Sequence, residues 1–339
     1  MPAFAPVLVM GAGSIGCFVG GRLAAAGVPV HFVGRPRVLN ALREHGLTVS
    51  DLEAPSQTVP AAALSLHEQP PAELAADVGL VLLCVKSAAT AEAAALLQQC
   101  LPAGTPVLSL QNGVSNAPTA PAAAPALQVI PGMVPFNVAE LSPGHYHRGT
   151  TGALAAQRHP ALQVAAAAFQ HAALPLTLHE DLFPIQWGKL LLNLNNPVNA
   201  LSGLPLRAQL LDRDFRRATS ALQQEALRVL KAAHIRPAQL TPLPPHWLPP
   251  VLRLPTPLFR LLAARMLRID AQARSSMADD LAQGRRTEVD VLCGEIVRLA
   301  RALNGPAPVN ARMMQLVQQW PQRQRPYAGR ELLDALGLE

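Results

Sequence analysis

Short runs of apolar residues alternate along the first half of the chain with longer segments that have a helical period. Runs of about 4–8 apolar residues predict strands, and a 3.6-residue period predicts helices that bury one face. The predicted strands are residues 7–10, 30–33, 80–85 and 106–110, followed by shorter ones near 127–130, 149–155 and 176–178. The first predicted helix begins at residue 14, and the others cover residues 38–45, 88–100 and 162–172. This alternation indicates βαβ units, and hence an α/β fold with a parallel, doubly wound sheet of the Rossmann type.

The pattern changes after Asp181, where long segments of helical period follow without a convincing strand. A chain of 339 residues is longer than one hydrophobic core usually serves. We therefore expect two domains, a Rossmann domain over residues 1–182 and an all-α domain over 183–339. The proline-rich segment from Pro237 to Pro257 indicates an extended connector, and the alanine- and proline-rich residues 119–125 indicate a loop.

Charge is distributed unevenly between the two predicted domains. Residues 1–182 contain 7 Lys and Arg against 10 Asp and Glu, whereas residues 183–339 contain 21 against 12. The arginines are spread along predicted helices and only 4% of residues are aromatic, so little is available for base stacking and we expect no nucleic-acid partner. An anionic small ligand accounts for the basic second half, and solvated helix faces account for most of its arginines.

The four cysteines form no C-x-x-C pair and lie in apolar surroundings, which predicts reduced, buried thiols and no metal site. No segment has about 18 uninterrupted apolar residues, and the N-terminal stretch lacks the basic region of a signal peptide. We therefore expect a cytoplasmic protein with no membrane partner. The sequence leaves the oligomeric state open, with a homodimer as one option.

A glycine-rich motif, GAGSIG at residues 11–16, directly follows the first predicted strand and opens the first helix. In such a G-x-G-x-x-G motif the first glycine permits a tight turn, the second lets the backbone approach a pyrophosphate, and the third allows close packing of helix on strand. The positive end of the helix favours the negative charge. We expect the cofactor-binding residues here to be Gly11, Gly13, Ser14, Ile15 and Gly16.

The second predicted strand ends in VGRPR, residues 33–37. NAD enzymes usually offer an acidic residue to the ribose hydroxyls at this place, but the segment has no carboxylate. A guanidinium can hold a 2′-phosphate with two hydrogen bonds. We therefore expect NADP as the cofactor, used as NADPH, with Arg35 as the phosphate ligand and Arg37 as the second candidate. An ordinary exposed loop arginine is the alternative.

Two further loops follow predicted strands at the carboxyl edge of the sheet, where ligands of such folds bind. One contains Lys86 and the other contains Asn112, which precedes a glycine. Lys86 is one of only three lysines among 28 basic residues, which suggests a role that arginine does not fill. Asn-Gly is also a common turn pair, so the residues alone leave Asn112 undecided between a turn and a ligand contact.

In the second half, Lys189, Asn193 and Asn196 fall at positions i, i+4 and i+7 and lie on one face of a predicted helix. Polar groups beside a leucine-rich stripe are costly when they lack partners, which favours a binding site, and a solvated polar face is the alternative. Further on, Ser276 and Thr287 are each followed three residues later by an aspartate, a pattern typical of helix N-caps. From spacing alone, capping is the favoured interpretation of both.

Taken in chain order, these motifs resemble those of the ketopantoate reductase family over nearly the whole chain. The residues that carry the resemblance are the glycine motif, Arg35, Lys86, Asn112, the W-x-x-K-x-x-x-N segment with Lys189 and Asn193, and Ser276 with Glu288 twelve residues later. That family has two domains, depends on NADPH, and reduces 2-dehydropantoate to pantoate on the pathway to pantothenate and coenzyme A. The resemblance implies the same activity here.

The resemblance also assigns roles to residues. It implies that Lys189 and Glu288 form the catalytic pair, with Glu288 also near the cofactor, and that Lys86 and Asn112 lie near the nicotinamide and its ribose. Lys189, as an ammonium, would polarise the substrate carbonyl and donate a proton to the developing alkoxide. Desolvation would lower the pKa of this lysine and Glu288 would raise it. The substrate-binding positions implied are Asn112, Asn193, Asn196, Ser276 and Glu288.

One spacing departs from the family pattern. In the best-known members a second asparagine lies four residues after the one that matches Asn193, directly before a proline, whereas here Asn196 precedes proline one residue earlier. We assign Asn196 to this role, with Asn195 or Asn199 as alternatives if the helix bulges. A reductase of another branched 2-oxo acid or of an imine formed from one, and a non-catalytic NADPH-binding redox sensor, stay open as alternative functions.

Overall fold

The structure, a computed structural model, describes residues 5–52, 54–71, 77–264 and 273–338. The chain divides into two units, Met1–Leu182 and Phe183–Glu339. The first is α/β and the second is helical, which confirms the predicted fold class.

In chain order the strands of the first unit are β1 (Val7–Met10), β2 (Val30–Val33), β3 (Leu47–Asp51), β4 (Gln57–Val59), β5 (Ser65–His67), β6 (Leu80–Leu83), β7 (Pro106–Ser109), β8 (Gln128–Met133), β9 (Val138–Ser142), β10 (His145–Arg148), β11 (Leu154–Gln157) and β12 (Leu176–His179). Eight of them form the main sheet in the order β12-β11-β8-β7-β6-β1-β2-β5. All neighbours in it are parallel except β8 and β11. Strand order reverses on the two sides of β1, as a doubly wound sheet requires.

The helices of this unit are α1 (Ser14–Ala25), α2 (Pro36–His45), α3 (Thr90–Cys100), α4 (Asn116–Ala123) and α5 (Pro160–His171). Successive residues of a strand point to opposite faces, so Val7 and Val9 of β1 pack in the core that contains α1, while Leu8 and Met10 pack in the core that contains α3. The expected loop at 119–125 is wrong, because α4 runs through Pro121. Alanine-rich segments favour helix, and the buried side chain of Asn116 is hydrogen-bonded at the first turn.

A second sheet, with the order β4-β3-β10-β9, packs against α1 and was not predicted. Its strands are short and half polar, so no apolar run announces them. Asp51 of β3 forms buried ion pairs with Arg22 of α1 and with Arg148 of β10, the latter at 3.4 Å. A buried charge is tolerated when it is paired, so these contacts join α1 to the small sheet.

The helices of the second unit are α6 (Phe183–Asn193), α7 (Asn195–Ser202), α8 (Leu206–Leu211), α9 (Arg213–Ala232), α10 (Leu248–Arg253), α11 (Thr256–Leu262), α12 (Ser276–Ala282), α13 (Cys293–Ala302), α14 (Pro308–Gln318), α15 (Trp320–Arg323) and α16 (Gly329–Ala335). The part of this unit that the structure describes contains no strand. Helix α9 is the longest, and α10, α14 and α16 pack on it. Among the described residues of the whole chain, no helix is long and apolar enough to cross a bilayer.

The proline-rich segment is not an extended connector throughout, because α10 and the start of α11 lie within it. Pro249 and Pro250 lie in the first turn of α10 and Pro257 in the first turn of α11, where a missing N–H costs nothing. Carbonyl groups around it are satisfied by Arg216 of α9, a fully buried side chain. This guanidinium donates to the carbonyl oxygens of Leu210, Leu252 and Leu254 at 2.9 to 3.0 Å. It also stacks on Phe259 at 4.3 Å, so one arginine fixes α8, α10 and α11.

Candidate active site

The glycine-rich turn between β1 and α1 leaves room for a phosphate group. Gly11 has φ +109°, and a Cβ there would meet the backbone nitrogen of Val85 at 2.6 Å, so only glycine fits. A Cβ on Gly16 would collide with the Gly11 carbonyl oxygen. Gly13, in contrast, faces open space, and α1 begins there without a side-chain cap or an acidic residue in its first turn. The uncapped N–H groups of α1 fit the pyrophosphate of a dinucleotide.

The two arginines after β2 have different surroundings. Arg37 forms an ion pair with Glu140 at 3.3 Å, and this hydrogen bond raises the pKa of its guanidinium. Arg35 is exposed at the N-cap position of α2 and makes no ion pair with any residue in the described part of the chain. The geometry therefore favours Arg35 over Arg37 as the group available to a ligand.

A buried amide, Gln111, connects the loops that follow β6 and β7. Its Nε2 donates to the carbonyl oxygen of Val85 at 2.8 Å and to Oγ1 of Thr90 at 2.7 Å, while its Oε1 accepts from Ser109 at 2.9 Å. Buried polar groups that are fully paired specify one arrangement of the chain around them. The loop containing Lys86 is thus held to the end of β7.

Asn116, at the start of α4, completes this network. Its Nδ2 donates to the carbonyl oxygen of Asn112 at 2.6 Å and to the hydroxyl of Ser87 at 3.1 Å, and its Oδ1 accepts from Thr90 at 2.8 Å. The backbone on either side of Lys86 is therefore tied to that of Asn112. The loop that begins at Gln111 was predicted only as a possible cofactor contact, and the connecting roles of Gln111, Asn116 and Thr90 were not predicted. The available signal for Gln111 was a cluster of polar residues directly after an apolar strand.

Lys189 and Asn193 lie one turn apart on α6. Lys189 is half-buried and Asn193 is buried. Burial disfavours the ammonium form and lowers the pKa of Lys189 to about 8. Of the two opposing effects expected from the sequence, desolvation is therefore the one that prevails. A lysine with this pKa exchanges its proton near neutral pH.

The predicted helix that carries Lys189, Asn193 and Asn196 is divided in two, because α6 ends at Asn193 and α7 begins at Asn195. Leu194 between them keeps right-handed helical dihedrals, φ −62° and ψ −10°, and the shared face stays a prediction. Gln223 of α9 donates to the carbonyl oxygen of Leu191 at 3.0 Å, which satisfies a group at the end of α6 that has no helical partner.

The three candidate asparagines on α7 differ in what their amides do. Asn195 exchanges two hydrogen bonds with Gln209 at 3.1 and 3.2 Å and accepts one from Thr219 at 2.9 Å. Asn199 is fully buried with both ends of its amide bonded to backbone. Asn196 is half-buried, and its amide makes no hydrogen bond to the residues that the structure describes. These contacts favour Asn196, and the assignment stays a proposal.

The capping interpretation of Ser276 is wrong. Ser275 is the N-cap of α12 and accepts from the N–H of Ala278 at 3.2 Å, while Ser276 is the exposed first residue of the helix. Thr287 caps nothing either, because the N-cap position of the 3-10 turn Val289–Val291 is Glu288, whose side chain makes no capping hydrogen bond. Capping therefore competes with a ligand-binding role at neither Ser276 nor Glu288.

In the first unit the predicted residues fall into one neighbourhood, and in the second the contacts join two of them. In the first, the glycine turn, Arg35, Lys86 and Asn112 follow β1, β2, β6 and β7, which are adjacent in the sheet and end at the same edge. In the second, Asn196 and Ser276 are joined through the hydroxyl of Ser275, which donates to the carbonyl oxygen of Asn196 at 3.3 Å. The first set can hold a dinucleotide and the second presents polar groups of the kind that bind a small acid.

Both units of the chain match known proteins of one family. Residues 7–161 match the family model of ketopantoate reductase PanE/ApbA, and residues 181–320 match that of its C-terminal region. A 2-dehydropantoate 2-reductase from Halobacterium salinarum is 33% identical over 319 residues, which cover 92% of this chain and 97% of the relative.

Two solved structures illustrate the range of this fold. A PanE/ApbA family ketopantoate reductase from Ralstonia eutropha superposes with a TM-score of 0.79 at 29% identity and covers 94% of this chain and 99% of its own. A D-mandelate dehydrogenase, solved with NADH and anilino(oxo)acetate, has a TM-score of 0.75 at 18% identity over 98% of this chain and all of its own, so it shares the fold. With both family models matched in order, this chain belongs to the ketopantoate reductase family, whose members are oxidoreductases that use a nicotinamide cofactor.

Proposed function

We propose that this enzyme reduces 2-dehydropantoate to pantoate with NADPH, and that it serves the formation of pantothenate and coenzyme A. The Halobacterium salinarum relative carries the name of this reaction. The observation that carries the proposal is Lys189, an ammonium group on α6 one turn from Asn193 whose pKa is lowered to about 8 by burial. An acid with a pKa near the working pH is the group that the reduction of a ketone requires.

NADPH is proposed over NADH because of Arg35, which is exposed at the end of β2 where a carboxylate would select NAD. The fold does not select the cofactor by itself, since the D-mandelate dehydrogenase of similar fold was solved with NADH. A guanidinium can form two charge-assisted hydrogen bonds to a 2′-phosphate. In this proposal the uncapped start of α1 holds the pyrophosphate, and Lys86 and Asn112 lie against the nicotinamide ribose and ring.

The cofactor supplies a hydride to the 2-keto carbon when it is bound. Lys189 donates a hydrogen bond to the keto oxygen and then its proton to the alkoxide that develops there. The charge on this oxygen appears only as the transition state forms, so the ammonium binds the transition state better than the substrate. The loss of one such donor costs about 10²–10³ in rate.

The remaining polar residues of the second unit are assigned to substrate binding. Ser276 donates its hydroxyl to the substrate carboxylate, and the amides of Asn193 and Asn196 surround the keto acid. Glu288 accepts a hydrogen bond from the substrate hydroxyl and assists Lys189. A site built to pair a substrate hydroxyl discriminates strongly against an analogue that lacks it.

A second candidate substrate is another branched 2-oxo acid, which the shortened spacing between Asn193 and Asn196 favours. The test is NADPH oxidation with 2-dehydropantoate beside a panel of 2-oxo acids, each run also with NADH. We expect the highest kcat/KM for 2-dehydropantoate with NADPH. A higher kcat/KM for another acid would make that acid the substrate. NADPH binding without turnover of any acid would indicate a redox sensor and overturn the proposal.

A further inference from the structure

Helices α7 and α12 are connected by a buried amide that has no part in the chemistry described so far. Asn199 of α7 is fully buried. Its Oδ1 accepts from the backbone N–H of Ser275 at 2.9 Å, and its Nδ2 donates to the carbonyl oxygen of Leu204 at 2.9 Å. The start of α12 is therefore hydrogen-bonded to the interior of the second unit through one side chain.

Ser275 extends this connection to Asn196. Its hydroxyl donates to the carbonyl oxygen of Asn196 at 3.3 Å and accepts from the N–H of Ala278 at 3.2 Å. Ser275 is itself buried, and the next residue is the exposed Ser276. Ser275 thus contacts the backbone of Asn196 and is the covalent neighbour of Ser276, and both of these are candidate substrate-binding residues.

The interruption at Leu194 gives this connection a role in orienting α7. In a continuous helix, the 3.6-residue period would fix the direction of Asn196 relative to Lys189 and Asn193. Regular helix is interrupted at Leu194, although the N–H of Leu194 still donates to the carbonyl oxygen of Leu190 at 3.1 Å. The direction of α7 therefore depends on contacts from other helices as well as on α6. The amide of Asn199 and the hydroxyl of Ser275 each form a hydrogen bond between α7 and the beginning of α12.

We propose that Asn199 is a positioning residue for substrate binding, which sets Asn196 and Ser276 at the separation that a 2-oxo acid requires. This inference rests on the proposed function. Asn199 acts through Ser275 and touches neither substrate nor cofactor. A misplacement of about 1 Å at a binding group can cost about 10²-fold in activity, so a small rotation of α7 is enough to matter.

The test replaces Asn199 by leucine, which has the same branching at Cγ in a larger side chain and makes neither hydrogen bond. The matched control is Asn310→Leu. Asn310 is likewise fully buried, and its Nδ2 donates to the carbonyl oxygen of Leu222 at 3.2 Å and to Glu225 at 2.9 Å, which are contacts between α14 and α9. Each substitution removes two side-chain hydrogen bonds of a fully buried amide, and both should lower Tm to a similar extent.

We expect Asn199→Leu to raise KM for the 2-oxo acid at least about tenfold, with KM for NADPH and the pH dependence of kcat unchanged, and Asn310→Leu to leave both KM values unchanged. Equal changes in KM for the two variants, or no change for Asn199→Leu, would overturn the inference. If Asn199→Leu does not fold, Ser275→Ala takes its place, since it removes the hydroxyl bond to Asn196 together with the N-cap bond from Ala278, and an unchanged KM would again overturn the inference.

A measurement without substrate separates this inference from the proposed function. Backbone hydrogen exchange at the start of α12 should become faster in Asn199→Leu than in wild type, and stay at the wild-type rate in Asn310→Leu. Unchanged exchange in Asn199→Leu would overturn the connection whatever the substrate is. A wild-type enzyme that reduces no 2-oxo acid would overturn the proposed function, and the exchange rates would still decide whether Asn199 holds α12.

Discussion

Replacing Lys189 by methionine removes the ammonium group and keeps an unbranched apolar side chain in the same place. The change should abolish most turnover, because the proposed proton donor is lost. It should also stabilise the fold at neutral pH, because a buried ammonium is costly and a buried thioether is not. A catalytic residue often lowers the stability of the fold that contains it, and Lys189 is expected to follow this pattern.

The magnitude follows from the pKa of Lys189, which burial lowers from 10.5 to about 8. The folded state then binds fewer protons than the unfolded state between these values, so wild-type stability rises as pH rises through this window. At 1.36 kcal/mol per pKa unit, the ammonium costs the folded state at most about 3 kcal/mol at pH 7 and about 1.5 kcal/mol at pH 9.5. The advantage of Lys189→Met over wild type should shrink by about half across that interval.

Thermal unfolding of both proteins at pH 7 and pH 9.5 measures this. For a unit of this size 1 kcal/mol corresponds to about 2–4 °C in Tm, so the variant should melt several degrees higher at pH 7 and less so at pH 9.5. Lys231→Met is the matched control, because Lys231 is exposed on α9, and its Tm difference should not depend on pH. A pH-independent Tm difference for Lys189→Met would refute the desolvation argument, and retained turnover would refute the proton-donor role.

Three further outcomes are expected. The kcat/KM for reduction should fall as pH rises through about 8, the pKa of Lys189, because the reaction needs the protonated form, and a profile flat to pH 9.5 in steady-state kinetics would exclude it. Arg35→Ala should weaken NADPH binding by about one to two decades and leave NADH binding unchanged in titration, whereas Arg37→Ala, which breaks the ion pair with Glu140, should affect both cofactors little. Ser276→Ala should raise KM for the 2-oxo acid with no change in Tm, and a loss of Tm instead would return this residue to a structural role.

The Rossmann core could be predicted because its signals are local. The strand at 7–10 is apolar throughout and the strand at 30–33 is apolar except for His31, and the helix after the glycine motif begins at Ser14 as expected. The small sheet could not, because strands such as His145–Arg148 are polar and gain their stability from pairing with distant partners and from the ion pairs of Asp51. Nothing in the neighbouring sequence encodes those contacts.

The sequence allows candidate site residues to be named, but it does not encode their arrangement. A spacing of i, i+4 and i+7 indicates one helix face only while the helix continues, and the hydrogen bond from Gln223 that accompanies the break at Leu194 comes from 32 residues away along the chain. The cap of α12 shows the same limit at shorter range. Ser275 and Ser276 are adjacent and chemically identical, and the backbone alone decides which one faces the helix N–H groups and which one faces solvent.

The interrupted helix has a consequence for how this enzyme can be altered. In an unbroken helix, the deletion of one residue turns everything beyond it by about 100°, so a shorter segment would point its side chains away from the ligand. A break between α6 and α7 absorbs such a change, since α7 takes its orientation from α9 and α12. The number of residues at the junction near Leu194 can therefore change independently of the helices on either side. Libraries that insert or delete one residue there should change substrate preference with less loss of folding than the same edits made inside α9.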